Sequence, residues 1–394
     1  MFKTKEIIPG YSLLIMLICF FLISSVPAQT PPQGGDKWIE AIKASMGMPG
    51  MEDPGLLNLV KAFENFNSLE VMKSTKTLDE IRKNGWRKPY PEIESLLVSQ
   101  KTALEYAYAC GAGPKVQFPD LGANIRSPFP NFLAVEGFIK LMNANARRYE
   151  SQGDLPGAIQ RLILTARFTN QFSSENAYLI QQLISLSGVS TSLETLQEVL
   201  RNPSITPQIA QKTGADLFEL EKGVEKGMVN GMKGEGRIFV EGFKKALEEK
   251  GKLTPPFDRA GNPQEVIQKI EQVWSEQVNL VEKPYWEIRK EDSSKISDMA
   301  KSIHQSFTIP NFMECKTRHT IMMARLRLCM TLCALKMNKP DLAATFQDPF
   351  TGKPLSIAAD RIYSFGPDKA DQKGQLDYNP KNGTVSPGDI FVMK

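Results

Sequence analysis

Residues 153–170 read GDLPGAIQRLILTARFTN, and this stretch decides the kind of fold. Its apolar residues recur at positions i, i+3, i+4, i+7, i+8 and i+11, namely Leu155, Ala158, Ile159, Leu162, Ile163 and Ala166. That spacing places all of them on one face of an α-helix. The stretch therefore predicts an amphipathic helix whose apolar face is buried against neighbouring elements.

The same periodicity extends over most of the chain. It recurs towards the C-terminal end at Met322, Leu326, Cys329, Met330, Cys333 and Met337. Further helices are predicted over residues 56–72, 92–110, 132–151, 177–200, 207–250 (with breaks) and 263–281. Prolines lie between several of them, and a proline cannot donate a backbone hydrogen bond inside a helix. Because strand-like alternation is almost absent before residue 350, the predicted fold is mainly α, an array of antiparallel helices.

One segment resembles a tetratricopeptide helix pair. Tyr149, Gly153, Asp154, Ala158 and Leu162 stand at the spacings of such a unit, in which the glycine makes the turn and the alanine allows close helix contact. No second copy follows at the period of that repeat, and a solenoid needs about three copies to bury a continuous core. We therefore expect a single antiparallel helix pair within a larger array.

The first 28 residues have the features of a secretory signal. Lys3 and Lys5 precede an apolar run over residues 11–26, and Ala28 offers a small side chain for cleavage before Gln29. The run is about 16 residues long, whereas a transmembrane helix needs about 20. We therefore expect a cleaved signal peptide and export to the periplasm or cell envelope. The alternative is an uncleaved anchor that holds the protein at the inner membrane through residues 11–26.

Composition then divides the remaining chain into three parts. Residues 29–35, QTPPQGG, have the proline and glycine content of a flexible linker. Residues 36–347 form the predicted α-helical domain, and residues 348–394 form a small β-rich tail. The chain has 48 Lys and Arg against 44 Asp and Glu, and the two signs alternate along it. Nucleic-acid-binding proteins gather their positive charge on one face, so we expect no nucleic-acid partner.

Four cysteines follow the signal segment: Cys110, Cys315, Cys329 and Cys333. An oxidising compartment permits up to two disulfides among them, with three alternative connectivities. Residues 329 and 333 are one helical turn apart, at roughly 5–6 Å between Cβ atoms, which is too far for a disulfide. The alternative role of these cysteines is to act as small apolar side chains in the helix stripe.

A glycine series interrupts the predicted helix over residues 207–250. Gly223, Gly227 and Gly231 share a four-residue spacing, and Gly234 and Gly236 follow. Each interior glycine costs about 1 kcal/mol relative to alanine, so a compensating contact is expected. We interpret the series as a site of close helix packing.

From residue 348 the sequence becomes rich in turn residues. Short β-prone segments lie at residues 355–357, 361–365 and 389–392, which predicts a small sheet built on hairpins. Three motifs occur in order: DPFTGKP at 348–354, IYSFGPD at 362–368 and NGTVSPGDI at 382–390.

This order of motifs resembles the C-terminal signature of the major pseudopilins of type II secretion. The resemblance implies a tail that holds a calcium ion through Asp368 and Asp389, with Asp371 as a further candidate ligand. Lys369 and Lys373 depart from the acidic loop of that family. The alternative role for the three carboxylates is to accept hydrogen bonds from backbone N–H groups in the turns.

The N-terminus departs further from the pseudopilins. Their leader ends in glycine and precedes a hydrophobic helix with glutamate at its fifth position, whereas residues 10–15 here read GYSLLI. As a whole the chain is more similar to uncharacterised exported bacterial proteins that join a long helical body to such a tail. A glycine–aspartate helix pair, an RLRL stretch like residues 325–328 and the DPF motif occur there in the same order. This resemblance implies an architecture and no chemistry.

Candidate catalytic residues are few. The two histidines are His304 and His319, and no G-x-S-x-G motif is present. Cys315 and His319 are four residues apart on a predicted helix, but no neighbouring ligand pair completes a zinc site. We therefore expect a non-enzymatic protein that binds a protein or peptide of the cell envelope or acts as a scaffold, with calcium as its one candidate cofactor. The alternatives are a membrane-anchored subunit of a secretion or pilus-like assembly, and a hydrolase that uses carboxylates.

The signal prediction can be tested on the exported protein. Cleavage after Ala28 leaves Gln29 as the first residue of the mature chain, and mass spectrometry of the purified protein identifies that terminus. A mature chain that retains residues 11–26 would contradict cleavage and favour the anchored alternative.

Overall fold

The computed structural model of the chain describes residues 37–46, 53–118, 132–173, 179–250, 262–303, 312–379 and 382–394. Over these residues the fold is mainly helical with a small C-terminal antiparallel sheet, as the sequence predicts. The signal segment, the linker and the predicted cleavage site at Ala28 and Gln29 lie outside the described residues. No described helix combines the length and the apolar character that crossing a membrane requires.

The helices are numbered in chain order. The first eight are α1 (Lys37–Met46), α2 (Pro54–Glu64), α3 (Ser68–Lys73), α4 (Thr75–Asn84), α5 (Pro91–Ser99), α6 (Lys101–Ala112), α7 (Phe132–Ser151) and α8 (Leu155–Asn170). They are followed by α9 (Leu179–Leu200), α10 (Pro207–Glu225), α11 (Gly227–Lys250), α12 (Pro263–Glu282), α13 (Lys290–Ile303), α14 (Phe312–Lys336) and α15 (Pro340–Ala343). A short 3₁₀ turn, Tyr285–Glu287, lies between α12 and α13.

Helices α7 and α8 form the predicted antiparallel pair. Gly153 has a φ of +82°, a conformation that favours glycine, and it reverses the chain between the two helices. The Asp154 side chain then accepts a hydrogen bond from the Gly157 N–H at 2.9 Å and caps α8. Ala158 is fully buried at the contact. Helix α8 packs against α7 on one side and α9 on the other, so the pair is part of a wider helical array.

Buried apolar residues form two clusters. One comprises residues from α1 to α7 together with Phe168 of α8 and Phe172 just after that helix. The other comprises residues from the end of α7 to the tail, including Phe350, Ile362 and Ile390. The tail therefore packs directly on the helical body and shares its core.

The tail contains one three-stranded sheet. Its strands are β1 (Ser356–Ile357), β2 (Arg361–Ser364) and β3 (Ile390–Met393), arranged in that order with both pairings antiparallel. Strands β2 and β3 both contact α14. The predicted strand segments are confirmed to within one residue or two.

The RLRL stretch at residues 325–328 of α14 connects neighbouring helices of the body to the start of the tail. Leu326 and Leu328 are fully buried. The side chains of Arg325 and Arg327 form ion pairs with carboxylates on two different helices. Arg327 pairs with Glu221 of α10 at 2.8 Å and donates to the Gln347 carbonyl at 3.0 Å, which holds the start of the tail.

Glu194 of α9 links α14, near the C-terminal end of the helical body, to α4, near its N-terminal end. Its carboxylate pairs with Arg325 of α14 at 2.5 Å and with Arg82 of α4 at 3.1 Å. Both arginine side chains are less than a fifth exposed, so solvent screens these pairs less than it screens surface pairs.

The glycine series is divided between two helices, because α10 ends at Glu225 and α11 begins at Gly227. Its predicted role in close packing is confirmed at Gly227 and Gly231, which both face Gln182 of α9. A Cβ atom on Gly231 would lie 2.8 Å from the Gln182 Cβ, a distance that requires one helix to move. Gly236 packs in the same manner against the Trp274 ring.

We expect Gly231→Ala to lower the free energy of unfolding by about 1–3 kcal/mol, because the added methyl group overpacks the contact between α9 and α11. Gly214→Ala in α10 is the matched control, since its Cβ would lie 3.7 Å from the Cys333 Cβ, an ordinary contact. There the gain in helix propensity should stabilise the protein by roughly 0.5–1 kcal/mol. Urea unfolding followed by circular dichroism measures both, and equal effects of the two substitutions would contradict the packing argument.

Candidate functional site

Asp348 organises the motifs of the tail. Its side chain is buried, and Oδ1 accepts hydrogen bonds from the Phe350 N–H at 2.9 Å and the Ser364 hydroxyl at 2.7 Å. Oδ2 accepts from the Phe365 N–H at 3.1 Å. One carboxylate therefore fastens the DPF turn to the end of β2. The DPFTGKP motif contains this aspartate, but its hydrogen-bond partners at residues 364 and 365 become its neighbours only in the folded chain.

The three predicted calcium ligands lie around the loop before β3, and each accepts hydrogen bonds from that loop. Asp368 accepts from the Ala370 N–H at 3.2 Å, Asp371 from the Lys373 N–H at 2.8 Å, and Asp389 from the Gly374 N–H at 2.7 Å. These bonds correspond to the alternative role, in which the carboxylates cap turns.

Two buried oxygens in this loop have no hydrogen-bond partner: Oδ1 of Asp389 and Oε1 of Gln372. Burial raises the pKa of Asp389, and the nearby charges of Asp371 and Asp368 raise it further, while the backbone N–H groups of Gly374 and Gln372 oppose the shift. A bound proton or a cation would satisfy the unpartnered oxygens. A calcium ion bound there would supply two positive charges to this acceptor-rich loop.

The wider geometry does not by itself build a metal centre. In the described part of the chain, no group of three or more His, Cys, Asp or Glu side chains is placed to share a metal ion. Calcium also accepts backbone and amide oxygens, which the loop contains. The assignment of Asp368, Asp371 and Asp389 as calcium ligands stays a prediction from the resemblance.

The raised pKa of Asp389 predicts a pH dependence of stability. The folded chain retains this proton to a higher pH than the unfolded chain does, so the stabilising contribution is present below the ordinary carboxyl pKa and is lost as pH rises through the raised value. We expect Asp389→Asn to reduce that loss. Thermal unfolding midpoints measured from pH 3 to 8 test this.

Asp360→Asn is the matched control in the same tail. Its hydrogen bond with Arg361 lowers the pKa of Asp360, so its contribution has the opposite sign and is lost as pH falls. Repeating the thermal unfolding series with calcium or with a chelator tests whether the tail binds this ion. A midpoint that calcium raises in the native chain and not in Asp389→Asn would support the predicted ligand, and a native pH profile unchanged by Asp389→Asn would contradict the titration argument.

The four described cysteines are free and buried, and the role of Cys329 and Cys333 as apolar side chains of the helix stripe is confirmed. Burial raises the pKa of Cys110, Cys315 and Cys333 to about 12, and it raises the pKa of Cys329 as well. Since the thiolate is the nucleophile, these thiols are unreactive at neutral pH.

His319 is equally enclosed. Its Nε2 lies 3.0 Å from the Val224 carbonyl oxygen, and burial lowers its pKa to about 4 in spite of that contact. The imidazole is therefore neutral at physiological pH and donates to a backbone carbonyl. It is held as a packed side chain between α14 and the end of α10.

The helical body carries a cleft of about 350 Å³ that sequence analysis did not find. Its lining residues come from the end of α4 and the following turn, the end of α7, and α9: Asn84, Gly85, Trp86, Arg87, Arg147, Glu150, Ser151 and Glu198. Three segments far apart in the chain build it, so no local motif could have identified it. A larger depression of about 640 Å³, along α13, is lined by one helix only, and both sites are largely open to solvent.

Arg147 lies at the buried side of this cleft. It is 5% exposed, and its Nη1 donates to Glu150 at 2.6 Å. Its Nε atom is buried and has no hydrogen-bond partner. A buried guanidinium with an unused donor is uncommon, because an unsatisfied polar group in the interior costs free energy.

No protein-family model, curated protein or solved structure matches this chain. The residues and their geometry therefore carry the functional argument.

Proposed function

We propose that this chain is an exported, non-enzymatic helical protein that binds a protein or peptide of the cell envelope. In this proposal the helical body is the binding module, and the tail stabilises it by covering α14. Residues 1–28 direct export, and residues 11–26 hold the protein at the inner membrane wherever they are not cleaved.

The observation that carries the proposal is the cleft beside Trp86. It is a concave, mainly polar site at the ends of three helices, and it contains a nearly buried arginine with an unused donor. Ligand sites of proteins combine a concavity with a few fixed polar groups of this kind. Helical arrays commonly use such surfaces for binding.

The chemistry of the reactive side chains supports binding over catalysis. Among the described residues, the side chains that cysteine or histidine catalysis would use are enclosed, because the four cysteines and His319 are buried in their uncharged forms. A carboxylate mechanism needs a carboxyl group that is placed to exchange a proton with the substrate. The two cleft carboxylates are instead engaged in ion pairs, Glu150 with Arg147 and Glu198 with Arg201 at 2.8 Å.

A photo-crosslinking experiment in envelope fractions tests the proposal. Ser151 is an exposed residue of the cleft. We expect the full-length chain with Ser151→p-benzoylphenylalanine to crosslink one defined protein or peptide of the envelope. The control is the same replacement at Lys269, an exposed residue of α12. Absence of any adduct at 151, or the same adducts from 151 and 269, would contradict a binding function at this site.

A further inference from the structure

We infer that the cleft beside Trp86 is a carboxylate-binding site, and that the carboxylate it takes is the C-terminus of a peptide. This inference rests on the proposed function for one point, the peptide nature of the ligand. The argument for the carboxylate comes from the donors, charges and size of the cleft itself.

Arg147 supplies the fixed donors. A guanidinium has five N–H groups, and Glu150 takes the bond from Nη1. The Nη2 atom lies beside Gly85, where a Cβ would sit 3.7 Å away in ordinary contact. Gly85 has a φ of +82°, which favours glycine at this position. Arg147 thus lines the cleft with a donor, Nε, that no group in the described structure accepts from.

Arg87 supplies the charge that selects the ligand. It is exposed at the cleft, and it forms no ion pair with any residue the structure describes. The other lining charges are offset, because Glu150 neutralises Arg147 and Arg201 neutralises Glu198. One uncompensated positive charge remains. It matches a singly charged carboxylate better than a doubly charged phosphate, whose second negative charge would have no counter-charge among the lining residues.

The size of the cleft favours a chain end over a continuous peptide. A volume of about 350 Å³ lies near the lower limit for ligand pockets, and it fits one or two residues. Trp86 is half-buried on one wall, where its ring packs edge-on against Tyr90 with the centroids 5.3 Å apart. This wall offers an apolar surface to the last side chain of a peptide, and its indole reports on occupancy.

The test uses the full chain and four probes. They are the acetylated tetrapeptide Gly-Ser-Ala-Leu with a free C-terminus, its C-terminal amide, the amide with Glu replacing Leu, and inorganic phosphate. Binding is followed through the indole ¹⁵N–¹H signal of Trp86, assigned with Trp86→Phe. We expect the free-carboxylate peptide to bind about tenfold more tightly than its amide, because a charge-assisted hydrogen bond is lost. The glutamate amide and phosphate should bind more weakly than the free C-terminus.

Arg87→Gln should weaken binding of the free-carboxylate peptide about tenfold without unfolding the protein, since the side chain is exposed. The matched control is Lys88→Gln. Lys88 is the next residue in the chain, but it lies over the Tyr90 ring and pairs with Glu80 at 3.5 Å, outside the cleft. Arg147→Lys keeps the buried charge and removes the planar set of donors. It should also weaken binding of the free-carboxylate peptide, whereas Lys88→Gln should leave that binding unchanged.

Several results would overturn the inference. Equal binding of the free peptide and its amide, or equal losses in Arg87→Gln and Lys88→Gln, would rule out carboxylate recognition here. Tighter binding of phosphate, or of the glutamate amide, would rule out a C-terminus as the preferred source. If the cleft crosslinks a partner through position 151 and binds none of the four probes, this inference fails while the proposed function stands.

Discussion

Burial of α14 on all sides is the constraint on which the rest of the structure depends. Its buried residues occur around the whole circumference of the helix, from Phe312 to Ala334. A helix of this kind is stable in a soluble fold only if other elements enclose it. Helices α9 and α10 cover one side, and β2 and β3 of the tail cover another.

Polar groups on α14 are accommodated without access to solvent. The hydroxyls of Thr317, Thr320 and Thr331 donate to carbonyls one turn earlier in the same helix, at 2.6–2.8 Å. Arg325 and Arg327 reach outward past the apolar surface to carboxylates on α9 and α10. The helix can therefore be central to the core and still fix the positions of two neighbouring helices through charge pairs.

Much of the helical part could be predicted from the sequence, because each helix carries its periodicity locally. Residues 132–151 match α7 at both ends, and the strands of the tail follow from turn residues and β-prone segments. The predicted helix over residues 56–72 was wrong as a continuous element, since it is divided after Glu64. Asn67 there caps α3, and its own N–H donates to the side chain of Gln100, which is distant in sequence. The cleft was missed for the same reason, as Trp86, Arg147 and Glu198 meet only in the folded chain.

The place of β3 in the core has a consequence for the order of assembly. Ile390 and Val392 of β3 belong to the same apolar cluster as α14. The apolar surface of α14 that faces the sheet stays uncovered until the chain has been made through residue 393. A nascent or truncated chain that stops before β3 would expose this apolar surface of α14 to chaperones and proteases.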